Sequence, residues 1–84
     1  MLAIKILGAG CANCQRLERE TRAALDAAGI AYELTKVTDY SDIVAYGVIS
    51  TPTLVINEKI ATSGRIPARA KIVELAQAME SPTQ

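Results

Sequence analysis

Cys11 and Cys14 are the only cysteines in a chain of 84 residues, and they lie three positions apart in the stretch GAGCANC. Two thiols at that spacing can cycle between dithiol and disulfide, or hold a soft cation together. Gly8 and Gly10 just before them raise a third reading, a glycine-rich loop that cradles phosphate. If the pair sits on the opening turn of a helix, side chains at i and i+3 share a face with Cβ atoms about 5–6 Å apart, slightly more than a disulfide prefers. A small local distortion closes that gap. So short a ring restrains the unfolded chain little, which suits a reversible redox pair better than a structural staple.

The two sulfurs are not expected to be equivalent. Cys11 falls at or just before the first helical residue, where unpaired amides and the positive end of the helix dipole favour a thiolate. Cys14 lies one turn in, on the face that carries Leu17, and is expected to be the more buried and slower thiol. Cys11 is therefore the expected nucleophile and Cys14 the resolving thiol. Lowering a thiol pKa from ~8.5 to ~7 raises the thiolate fraction at pH 7 about sixteen-fold, while intrinsic nucleophilicity falls roughly five-fold. The net gain is only about three- to four-fold, so most of the advantage must come from positioning the partner disulfide and from a second thiol close by.

The elements that must do this positioning follow from periodicity. Residues 2 to 7 are apolar on both faces and read as a central strand. Residues 12 to 28 place Cys14, Leu17, Thr21, Ala24, Leu25 and Ala28 at helical spacing, with Arg16, Glu18, Arg19, Glu20, Arg22 and Asp26 mostly on the other side, and Gly29 stops the helix. Residues 30 to 37 read as a second strand. Thr38 or Asp39 can cap a short helix through Ile43, Val44 and Tyr46 that Gly47 ends. The β-branched segment 48 to 64 reads as two strands joined in a hairpin at Asn57-Glu58. Pro67 can begin a last helix whose buried stripe is Ile72, Leu75, Ala76 and Met79. The order is β-α-β-α-β-β-α, an α/β fold with a four-stranded mixed sheet flanked by three helices. Residues 1 to 79 are expected to form one domain and residues 80 to 84 a frayed tail.

Composition narrows the function. Nine basic residues balance nine acidic ones, without a basic run, so nucleic acid is not an expected partner. No apolar run approaches the ~18 residues of a membrane span. Lys5 interrupts the apolar run before Cys11, which spoils any likeness to a lipoprotein leader, so the chain is expected to be mature and cytoplasmic. In a reducing compartment, cysteines with two residues between them point to catalysis or metal binding.

A further signal is Thr51-Pro52 inside the β-branched segment. An X-Pro bond is where a cis peptide is cheap, and a cis bond here would leave the backbone of Thr51 free to hydrogen-bond an extended peptide that carries the target disulfide. The alternative is a trans-proline on an exposed edge strand.

The segment GVISTPTLVIN, residues 47 to 57, together with CxxC after the first strand, resembles the thioredoxin superfamily over about residues 2 to 79. GRIP at 64 to 67 falls where that family turns into its last helix, and GCANC is similar to the small thioredoxin-like or glutaredoxin-like redox proteins. The resemblance implies a thiol-disulfide oxidoreductase in which Cys11 is the nucleophile, Cys14 the resolving cysteine and Pro52 a cis-proline facing them. It further implies substrate contacts from Gly10, Ala12, Asn13, Thr51, Pro52 and Gly64. No cofactor or metal is called for beyond the Cys11-Cys14 disulfide. The implied partners are disulfide-bearing proteins and a thioredoxin-reductase-like or other dithiol reductant. Three departures stand out: Gly10 replaces a tryptophan, Ala12-Asn13 replaces Gly-Pro, and Lys5 occupies the position of a buried aspartate six residues before the first cysteine. With no His between the cysteines, a reductant is expected rather than a strong oxidant.

Two rivals come from other classes. A soft-metal carrier for copper, zinc or arsenic would use the same thiolates, but such small domains run βαββαβ and end on a strand, and a closed zinc site needs two further ligands. A non-catalytic interaction module would keep the fold without the chemistry. A dinucleotide loop would need a third glycine where Asn13 stands, and a longer chain. Arg16 is expected to pair with Glu20 at i+4 rather than serve Cys11, Lys5 can be a snorkelling strand residue, and Tyr32, Tyr40 and Tyr46 are expected to pack in the core or at its rim.

Overall fold

The computed structural model describes residues 2–47 and 51–79. Strand β1 (Leu2–Leu7) leads into helix α1 (Ala12–Ala27), followed by β2 (Tyr32–Val37), α2 (Tyr40–Ala45), β3 (Thr53–Ile56), β4 (Lys59–Ser63) and α3 (Arg69–Ala78). This is the β-α-β-α-β-β-α order that periodicity predicts. The sheet order is β2-β1-β3-β4, with β1 parallel to β2 and antiparallel to β3, and β3 antiparallel to β4. β1 is thus central, as its two apolar faces require.

The faces of β1 feed two cores. Leu2, Ile4 and Ile6 join Leu17, Leu25, Leu54, Ile56, Ile72 and Ala76 in the larger one, under α1 and α3. Leu7 packs with Val55 and with Ile43 of α2 on the other face. A salt bridge ties α1 to α3: Arg69 donates to Glu20 at 2.6 and 3.3 Å. Arg69, rather than Arg16, is therefore the hydrogen-bond partner of Glu20, and this bond first of all holds the Glu20 carboxyl below its ordinary range.

Element ends differ from the sequence reading for local reasons. α1 closes at Ala27 because Gly29, at φ +71°, donates to the Asp26 carbonyl, while Ile30 donates to the Leu25 carbonyl. These two bonds make a Schellman motif, so Ile30 belongs to the helix-ending turn and β2 starts at Tyr32. Asp39 caps α2, accepting from the Ser41 amide at 2.8 Å. α3 begins at Arg69, two residues after Pro67, because Ala68 is still extended (φ −64°, ψ 155°) and its carbonyl accepts the first helical bond from Ile72. The hairpin turns at Asn57 and Glu58, both at positive φ. Asn57 also accepts from the Ala3 amide and donates to the Met79 carbonyl, joining the first strand to the end of α3. β3 starts at Thr53, so Thr51 and Pro52 precede the strand, and residues 48 to 50 and the expected tail at 80 to 84 lie outside the described residues. Of the tyrosines, Tyr32 and Tyr46 lie at the rim, whereas Tyr40 is 78% exposed at the first position of α2. Among the described residues, no helix is long and apolar enough to cross a membrane.

Leu25 is fully buried between α1 and the sheet, whereas Val44 stands half in solvent on α2. Leu25→Ala is expected to lower stability by about 2–5 kcal/mol, a large part of the roughly 4–12 kcal/mol typical of a chain this long. Val44→Ala should stay within about 0.5 kcal/mol. Urea unfolding of the two variants measures both.

Candidate redox site

The site is built where β1 gives way to α1. Cys11 is the N-cap of α1, in extended conformation at φ −71° and ψ 165°. Its Sγ accepts a hydrogen bond from the Cys14 amide at 3.2 Å, and its carbonyl accepts from Gln15 at 3.0 Å. The sulfur thus occupies the place of a capping oxygen, at the positive end of a helix of 16 residues. Both effects favour the thiolate once the disulfide is reduced.

Cys11 and Cys14 are joined as a disulfide with their Cα atoms 5.1 Å apart, inside the usual range for such a bond. Cys11 is exposed and Cys14 is only 5% exposed, the asymmetry expected from one turn of helix. Attack from outside can reach Cys11. Cys14 is covered by the fold.

The cover comes from Gly8. A Cβ placed on this buried residue would overlap the Sγ of Cys14, and would lie 3.2 Å from its Cβ and 3.9 Å from the Cβ of Thr51. Gly8 therefore lets the sulfur of α1 settle on the end of β1. Gly10, at φ +81° with open space where a side chain would be, instead turns the chain ahead of Cys11.

Thr51 and Pro52 approach from β3. The peptide bond between them is cis; Thr51 is exposed and Pro52 buried. β3 is an inner strand, so Pro52 stands at the head of a central strand and not on an edge. Leu7 pairs with Thr53, which brings the start of β3 level with the end of β1 and hence with Gly8. Gly64, at φ +77°, donates its amide to the Pro52 carbonyl at 2.9 Å. That amide is engaged in shaping the proline turn. Ala12 and Asn13 are exposed on the first turn of α1 beside the disulfide.

Two charged residues near Cys14 escape a reading of helical faces. Glu18, one turn below Cys14 and assigned by periodicity to the solvent side, has a carboxylate only 19% exposed that meets Lys36 of β2 at 3.5 Å and Arg22 at 3.1 Å. Cys14, Glu18 and Lys36 line one cavity of about 70 Å³. The i, i+4 spacing of Cys14 and Glu18 could have drawn attention to the pair. Lys36 required the parallel register, in which it pairs with Ile6.

Lys5 sits on the opposite face of the sheet. It donates to Tyr46 Oη at 2.8 Å and to Glu58 Oε2 at 2.6 Å, and Tyr46 Oη donates in turn to Glu58 Oε1 at 3.0 Å. The hydrogen bond to Glu58, then that to Tyr46, holds the ammonium above its ordinary pKa, and the same bond from Lys5 holds the Glu58 carboxyl below its own. Lys5 is thus fixed as a cation that pins the β3–β4 turn and the end of α2 to the central strand. Among the described residues, no group of three or more His, Cys, Asp or Glu comes together as a metal site.

Gly8→Ala puts a methyl group where the Cys14 sulfur rests. It is expected to cost about 1–3 kcal/mol in overpacking and to leave a larger free-thiol fraction after mild oxidation. Urea unfolding and thiol titration of the oxidised variant check both.

Comparison with known proteins agrees with this geometry. The family model described as "Thioredoxin domain" matches residues 2–77. A protein named thioredoxin from Methanothermobacter thermautotrophicus is 33% identical over 89% of this chain and 97% of its own length. A second, from Methanocaldococcus jannaschii, is 34% identical over 88% of this chain and 85% of its own. A solved structure described as that of a malarial protein superposes with a TM-score of 0.70 at 16% identity, covering 95% of this chain and 98% of that one, a likeness of fold. With CxxC at the head of α1 and a match that spans nearly every element, the chain belongs to the thioredoxin family and is a thiol-disulfide oxidoreductase.

Proposed function

We propose that the protein is a cytoplasmic reductant of protein disulfides that works through a Cys11/Cys14 dithiol-disulfide cycle. The observation that carries this reading is the asymmetry of the pair. Cys11 is an exposed helix cap, and Cys14 is buried against Gly8. The Cys11 thiolate attacks a sulfur of the partner disulfide, forming a mixed disulfide and releasing one partner thiolate. Cys14 then attacks Cys11 Sγ, the Cys11–partner bond breaks, and the partner leaves as its second thiolate. The partner's disulfide gains two electrons and the protein's dithiol loses them. A reductase or another dithiol of lower potential then reopens Cys11–Cys14.

Thr51 and Pro52 are the substrate-positioning residues in this reading. Thr51 is exposed beside Gly8, and among the described residues its backbone makes no turn or loop hydrogen bond. An extended segment of the partner can pair with it, which holds the target disulfide over Cys11. Gly10, Ala12 and Asn13 form the open lip on the helix side, and Gly64 contributes by holding the Pro52 carbonyl. The working unit is one domain over residues 1 to 79. The cytoplasmic assignment rests on cysteine usage: two thiols, both at the redox site.

Cys14→Ser is expected to accumulate covalent mixed disulfides with protein partners, visible as reductant-sensitive adducts on non-reducing gels. Cys11→Ser should form none and lose disulfide-reductase activity. Wild-type turnover by Cys11→Ser would contradict the mechanism.

A further inference from the structure

Two arginines flank the opening through which a partner disulfide reaches Cys11. Arg16 is exposed on α1, four residues after Ala12, and so shares the outer helix face of that lip residue. Helical side chains lean toward the N-terminus of their helix, which carries this guanidinium toward the Cys11 end. Arg65 comes to the same end by another route. Leu7 pairs with Thr53 and Thr53 with Ser63, so the end of β4 is level with the end of β1. Gly64 then bonds the Pro52 carbonyl at 2.9 Å, and Arg65, also exposed, is the next residue. One arginine stands outside the α1 bank of the cleft and the other outside the Gly64 bank.

Their charge is not neutralised locally. Among the described residues neither arginine forms a salt bridge, because the carboxylates of α1 nearest the site are taken: Glu20 by Arg69, and Glu18 by Arg22 and Lys36. Arg16 acts on the Glu20 carboxyl only through space, and less than the hydrogen bond from Arg69 does. The exposed carboxylates of Asp39 and Asp42 belong to α2, which packs on the opposite face of the sheet. Asp39 is committed there to the Ser41 amide. The lip between the arginines, formed by Gly10, Ala12, Asn13, Thr51, Pro52 and Gly64, carries no charged side chain. A chain of zero formal charge thus presents a locally positive rim around its exposed sulfur.

Arginine suits such a rim, since its planar guanidinium stays charged and offers paired N–H donors to a carboxylate. We propose that Arg16 and Arg65 select disulfides flanked by acidic residues. The partner is a protein or peptide segment with Asp or Glu beside the attacked cysteine, its carboxylates against the two guanidinium groups while Thr51 pairs with its backbone. This rests on the reductase reading of the site and names the substrate class that site takes. Rim charges act chiefly on the rate of encounter and on the rejection of wrong partners. A segment rich in Lys or Arg is repelled at the same two places.

Two peptides that differ only in charge test the preference. Each closes one loop with a disulfide, the first with Glu on both sides of each cysteine and the second with Lys there. Reduced protein is mixed with an excess of either peptide and quenched in acid at intervals, and its oxidised fraction is read by alkylation and mass spectrometry. Each second-order rate constant is divided by that of the same peptide with dithiothreitol, which removes the reactivity of the disulfide itself. At low ionic strength the wild-type protein is expected to reduce the Glu peptide about ten-fold faster, the scale of two exposed ion pairs in one peptide and two repulsions in the other. The ratio should fall toward one in ~1 M sodium chloride, where charges are screened within about 3 Å. In the double variant Arg16→Glu, Arg65→Glu it should invert. Any change in the ionisation of Cys11 alters both rates alike and cancels in the ratio. Equal rates for the two peptides with wild-type protein, a ratio that salt leaves untouched, or one that survives the double substitution would overturn the proposal and leave the reductase reading standing. Wild-type protein that reduces neither peptide would overturn that reading, and the preference with it.

Discussion

The seating of one sulfur on one glycine governs the rest of this structure. Gly8 ends the central strand without a side chain, and the Sγ of Cys14 occupies the space a Cβ would take. This contact lets the first turn of α1 press against the end of β1. It buries one thiol of the pair and leaves the other at the helix cap in the open. The chemical difference between two cysteines three residues apart thus arises from packing as much as from the helix dipole. A larger residue at position 8 would lift the turn and blur the distinction between the sulfurs.

The sheet also separates its charges. On the α2 face, Lys5, Tyr46 and Glu58 form a closed hydrogen-bonded group that anchors the hairpin turn and the end of α2. On the α1 face, Glu18 and Lys36 share a cavity with Cys14. Alternation along β1 explains the division, since Lys5 and Ile6 point to opposite faces. A cation at position 5 is accommodated because its partners are on the far side from the buried thiol. The carboxylate near that thiol is supplied by the helix that also carries it.

Much of the fold was legible in the sequence because each element carries its own signal. Leu2 to Leu7 is apolar on both faces, Leu17, Thr21 and Leu25 repeat at helical spacing, and Asn57-Glu58 marks a turn between β-branched runs. The cysteine pair and Thr51-Pro52 were legible as a site because they are local motifs. The illegible parts depend on register and on side-chain contacts between distant elements. Lys36 beside Ile6 follows from strand alignment, Arg69 on Glu20 from the packing of α3 on α1, and the inward turn of Glu18 from a partner eighteen residues away. The ends of α1 and α3 shifted for a different reason. The Schellman bonds of Gly29 and Ile30, and the extended Ala68, are backbone choices that residue type alone leaves open.

The central claim is that Cys11 and Cys14 differ in ionisation and access. It is tested most directly by alkylating the reduced protein with iodoacetamide across pH 5–10 and mapping the modified cysteine by mass spectrometry. The account predicts that Cys11 is modified first, with a midpoint below the ~8.5 of a free thiol, while Cys14 reacts slowly and only at higher pH. Equal rates and midpoints for the two cysteines, or faster labelling of Cys14, would contradict it.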